Sequence, residues 1–118
     1  MSTLNRYTFW SSQDLAAAVN SDVIWVDGDD FSVQVYSEIG TRAGTLYIDI
    51  TNDGTGTEGA KIWTTAAPIT VTNGVLLNHV ESVINQIAAG VRLRWEPSGG
   101  AGTMTRANVC VKALAKEE

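Results

Sequence analysis

A chain of 118 residues can bury one core but not two, and 44% hydrophobic with 18% charged residues is the composition of an ordinary globular protein, not a disordered tail. The formal net charge of -5, with its 8 Lys and Arg scattered, argues against a nucleic-acid surface, which needs clustered cations. No apolar run approaches membrane-spanning length, the first residues lack the basic-then-apolar layout of a secretory signal, and the lone Cys110 allows no internal disulfide, so folding in a reducing cytoplasm is expected.

Taken in order, residues 1–5 are polar, and 6–10 place Tyr7 and Phe9 on one side of a short extended stretch with Trp10 on the other. This stretch reads either as a first edge strand or as an aromatic arm that docks on a neighbouring subunit. The expected division is therefore 1–12 as arm or edge strand and 13–118 as a single β-sandwich domain. Residues 12–20 (SQDLAAAVN) are ambiguous, since Ser12 and Asp14 are the residue types that cap a short helix through the alanines. Residues 23–26 (VIWV) read as a strand, and Asp27-Gly28-Asp29-Asp30 as a polar turn.

The chain is organised around residues 31–54, FSVQVYSEIGTRAGTLYIDITNDG. Phe31, Val33 and Val35 alternate with Ser32, Gln34 and Tyr36, and Leu46, Ile48 and Ile50 with Tyr47, Asp49 and Thr51. Period-two alternation predicts two half-buried strands, and the glycines at 40 and 44 predict a loose hairpin between them. A glycine-threonine loop follows, then a stretch bearing Ile62 and Trp63, then a short strand at 68–72. Pro68 marks that strand as an edge or first-residue case, because proline donates nothing to a ladder. Asn73-Gly74 is a further turn signal.

In residues 75–89 the apolar positions Leu76, Leu77, Val80, Val83, Ile84 and Ile87 lie on one helical face, with Asn73 and Gly90 as the possible ends. The β-branched residues in the same run suit a strand, so both readings stand. Residues 91–96 alternate again, with Val91, Leu93 and Trp95 inward and Arg92, Arg94 and Glu96 outward. PSGGAG is a turn, and residues 103–113 form the last strand, with Val109 and Val111 inward. Eight or nine short strands with turn signals between them predict an all-β fold, an antiparallel sandwich or jelly roll.

Candidate chemistry is sparse. His79 is the one histidine, without a nucleophile elbow or metal-ligand spacing, and reads as a solvent-facing residue. Cys110 reads as an inert, strand-packed thiol. Asp27, Asp29 and Asp30, or Asp49 with Asn52 and Asp53, invite a calcium reading, but both groups fall where turns need Asp and Asn, and Ala60 stands where a loop glutamate would be. No glycine-rich phosphate motif occurs, so no cofactor or metal is expected. Of the four tryptophans, Trp95 is in phase with the core, while Trp10 and Trp63 suit a subunit interface. An exposed tryptophan among polar side chains also suits a sugar platform.

The hairpin ending in GTLYIDITNDG, the tryptophan-bearing KIWTT, and IAAGVRLRWEPSGGAGTMTRANVCVKA resemble the small β-sandwich capsid decoration, or cement, proteins of tailed bacteriophages over residues 31–115. The resemblance implies a non-enzymatic virion protein, made in the host cytoplasm, that binds the major capsid protein on the outer lattice as a homo-oligomer, a dimer or trimer. It carries across no functional residue. The partner-contacting residues expected from aromatic content are Tyr7, Phe9, Trp10 and Trp63. The alternative is a glycan-binding or tail-associated module of the particle using an exposed tryptophan. An enzyme would require His79 to lie beside a nucleophile or a carboxylate.

Overall fold

The computed structural model describes residues 2–28, 30–52, 62–83 and 88–114, with side chains over 6–25, 31–52, 62–82 and 90–109. Among them the chain is all-β: β1 (Ser2–Asp14), β2 (Val19–Asn20), β3 (Ile24–Gly28), β4 (Asp30–Ser37), β5 (Ala43–Thr51), β6 (Thr64–Val71), β7 (Leu77–Val83), β8 (Ala88–Gly99) and β9 (Thr103–Leu114). They form two antiparallel sheets. The first runs β1-β9-β4-β7; the second runs β2-β8-β5-β6, with β3 continuing the β2 position along β8.

The pairing follows a nested rule. The first strand pairs with the last, β2 and β3 with β8, β4 with β7, and β5 with β6, as if the whole chain were one long hairpin. The β4–β9 and β5–β8 ladders then roll that hairpin into two layers. This is the connectivity of a jelly roll.

Alternation explains the core between the layers. Val33 and Val35 of β4 lie opposite Val109 and Ala107 of β9, and Ile48 and Leu46 of β5 lie opposite Leu93 and Trp95 of β8. All eight side chains are fully buried. The Trp95 indole donates to the Leu15 carbonyl at 2.8 Å, so its one polar atom is satisfied in the apolar layer.

Two expectations, the hairpin and the facing of Phe9 and Trp10, are corrected, and two segments left open are decided. β4 and β5 do not form a hairpin: they lie in different sheets, and the turn between them crosses the sandwich. Alternation identified both strands, but pairing is decided by distant partners. Residues 77–83 of the ambiguous segment are strand β7, paired along β4, because Leu77 supplies the inner face of an edge strand; residues 84–87 lie outside the described residues. Residues 12–20 form no helix, since β1 continues to Asp14, whose carboxylate then accepts from the Ala16 amide at 3.0 Å in a local turn. Phe9 and Trp10 do not face opposite ways. A register shift between Thr8 and Trp10 makes Phe9 a bulge residue, and both side chains enter the core, 8% and 7% exposed. Pro68 lies within β6, the edge strand of the second sheet.

Candidate functional site

Three surfaces carry unusual chemistry. The first is the loop end where β4–β5, β6–β7 and β8–β9 connect. Arg42 lies there with no exposed surface. Its Nε donates to Ser37 Oγ at 2.9 Å, Nη2 to the carbonyls of Val75 and Ser37 at 2.7 and 3.2 Å, and Nη1 to those of Thr72 and Gly40 at 3.1 and 3.4 Å. Among the described residues no carboxylate pairs with it, so carbonyl dipoles and one hydroxyl carry the desolvated charge. The guanidinium thereby ties two loops together, and Thr41 Oγ1 adds the third by donating to the Ala101 carbonyl at 3.0 Å. Around this pinned frame Ile39, Val75 and Leu76 stand 68%, 53% and 46% exposed.

The second surface is the outer face of the second sheet. Asp49 and Arg92 are cross-strand partners, as are Tyr47 and Arg94. The Asp49 carboxylate, 2% exposed, accepts from Arg94 Nε at 2.8 Å, Thr65 Oγ1 at 3.0 Å and Arg92 Nε at 3.2 Å. Arg92 lies over the Trp63 ring at 4.2 Å and Arg94 over Tyr47 at 4.1 Å. The Asp49 hydrogen bond is the main reason Arg94 holds its proton above the ordinary arginine range. Asp49 is thus the acceptor for two arginines and a threonine. Trp63 is half-buried with a guanidinium on its ring, whereas Trp25 is 49% exposed on its strand.

The third surface is a groove across the outer face of the first sheet. Alternation opposite the buried Val33 and Val35 puts Ser32, Gln34 and Tyr36 of β4 on this face, beside Arg106 and Asn108 of β9 and Asn78 of β7. Two hollows of about 710 and 460 Å³ share Gln34, Arg106 and Asn108 and so run together; Arg6 and Thr8 of β1 line the larger. Gln34 Nε2 donates to Asn78 Oδ1 at 3.3 Å, setting the two amides side by side.

Of the residues singled out from the sequence, Phe9 and Trp10 belong to the core, so their side chains are taken up within the chain itself. Tyr7, opposite Val109 on β1, remains 40% exposed. His79 is part-exposed on an edge strand and does lie beside a carboxylate, its Nε2 2.9 Å from Glu81 Oε1, while among the described residues no hydroxyl or thiol bonds to it. The side chains of Asp27, Asp29, Asp30, Asp53 and Cys110 lie outside those described. Among the described residues no group of three or more His, Cys, Asp or Glu is placed to hold a metal ion, and no helix is long and apolar enough to cross a membrane.

Arg42 and the groove were missed. Arg42 reads as one more cation in a polar loop, because its partners are carbonyls of distant segments. The groove residues were visible only as the polar half of an alternation. No family model, curated protein or solved structure matches the chain.

Proposed function

We propose that the chain is a non-catalytic virion protein that decorates a phage capsid, seating its apolar loop end on the major capsid protein. The observation that carries this reading is the trio Ile39, Val75 and Leu76, exposed on loops that the buried Arg42 holds in one arrangement. A rigid apolar tip loses little entropy on docking, and many copies on a lattice multiply a modest individual affinity. The test is co-sedimentation with undecorated shells of its phage. The wild-type protein pellets and raises the shell melting temperature; the double substitution Ile39→Asp, Val75→Asp keeps its own melting temperature and stays in the supernatant. Equal pelleting of both proteins would exclude tip-first docking. Light scattering gives the oligomeric state, expected to be a dimer or trimer.

The polar groove favours a second reading, a glycan-binding or tail-associated module of the particle. It moves the ligand surface from Trp63, where Arg92 already lies on the ring, to the opposite sheet.

A further inference from the structure

From the groove on the first sheet we infer a binding site for an acidic oligosaccharide, one that carries carboxylates on its sugar rings. The inference rests on the glycan-binding reading and adds the ligand class; it does not depend on capsid docking.

The lining has two kinds of chemistry. The neutral part is dense in groups that serve sugar hydroxyls: the amides of Gln34, Asn78 and Asn108, and the hydroxyls of Thr8, Ser32 and Tyr36. Amides and hydroxyls both donate and accept, which matches vicinal hydroxyl pairs. The bond from Gln34 to Asn78 uses one donor and one acceptor, so the Gln34 carbonyl oxygen and the Asn78 amide nitrogen retain hydrogen-bonding capacity.

The charged part is one-sided. In a protein of net charge -5, the described residues that line the groove include Arg6 and Arg106 and no carboxylate. Neither arginine has an ion-pair partner among the described residues, whereas Arg92 and Arg94 on the other sheet are committed to Asp49. A guanidinium grips a carboxylate through paired hydrogen bonds, so these two set a preference for an acid.

The size fits a chain. The larger hollow crosses β1, β9, β4 and β7, three strand spacings or about 14 Å, and the smaller one extends it. Two separated arginines among neutral amides do not suit a polyphosphate backbone, which needs a run of cations and which the negative protein repels.

The experiment is a ¹⁵N NMR titration of the full chain with trigalacturonate, its methyl ester and a short single-stranded oligonucleotide. Trigalacturonate is expected to shift the amides of Gln34, Tyr36, Arg106 and Asn108, with the neutral ester about tenfold weaker. The double substitution Arg6→Gln, Arg106→Gln, at two exposed positions, should abolish the difference between acid and ester while leaving the melting temperature unchanged. If ester and acid shift the same residues equally, the glycan site stands and the acidic preference falls. If neither sugar moves these amides, or the shifts map to Trp25 and Trp63, the groove reading falls as well. Tighter binding of the oligonucleotide than of trigalacturonate would also overturn the inference.

Discussion

Arg42 and Asp49 are both buried charges, yet they are held in different ways. Among the described residues Arg42 has no counter-ion; its five donor contacts end on four carbonyls and one hydroxyl from two segments, Ser37 with Gly40 and Thr72 with Val75. Removing the side chain leaves buried carbonyls unsatisfied and opens space under Gly102, whose added Cβ would lie 2.8 Å from the Arg42 Cδ. Arg42→Met is therefore expected to cost about 3 kcal/mol in urea unfolding, and Arg42→Lys at least ~2 kcal/mol, because a point charge cannot reach both loops. Asp49 is a true ion-pair hub. Asp49→Ala leaves two poorly exposed guanidinium groups facing each other, and a loss of about 3 kcal/mol by the same measurement is expected. The proton that Asp49 helps Arg94 keep is bound at every ordinary pH. Its stabilisation is full below the usual arginine range and is lost only as pH rises above it, so it adds no pH dependence near neutrality.

At the level of elements, two glycines separate turn chemistry from packing. Gly74 and Gly100 have φ of 77° and 72°, but nothing lies within 4 Å of an added Cβ at Gly74, whereas at Gly100 it would run into the Thr41 carbonyl. Gly74→Asn should cost about 1 kcal/mol or less, since asparagine tolerates the left-handed region, while Gly100→Asn should cost several-fold more; thermal melts of the two variants compare them directly. β1 offers a second test. It is hydrogen-bonded along β9 and contributes Phe9 and Trp10 to the core, so a chain lacking residues 2–14 is expected to aggregate, where loss of a detachable arm would leave a folded sandwich.

The strands were legible because alternation is local. Val33 and Val35, Leu46 and Ile48, and Leu93 and Trp95 announce an inner face two residues at a time, and all are buried. Pairing was not legible. Asn73-Gly74 and the PSGGAG segment look like hairpin turns, yet each joins strands in different sheets. A turn signal states that the chain reverses, not which neighbour it meets. The same limit hid Arg42, and the Phe9 bulge broke the alternation that had placed Trp10 on the side opposite Phe9.

For the molecule as a whole, nested pairing makes the outermost ladder the most distant in sequence. β1 waits for β9, so most of the loop-closure entropy is lost before the final contacts form. Refolding followed by tryptophan fluorescence should be slow for the size, in milliseconds to seconds, and β1 substitutions that spare the core should speed unfolding more than they slow folding. A microsecond refolding phase carrying the full amplitude would contradict this order.

The same ladder sets two of its ends side by side. Ser2 sits opposite Leu114, whereas Asp14 and Thr103 meet near the pinned loops. With 13 residues in β1, Ser2 and Leu114 lie roughly 40 Å from the apolar tip and beside each other. If the proposed tip-first docking on a capsid holds, both ends point outward, and a peptide grafted after Leu114 and one grafted before Ser2 are displayed at the same height above the shell, equally open to an antibody.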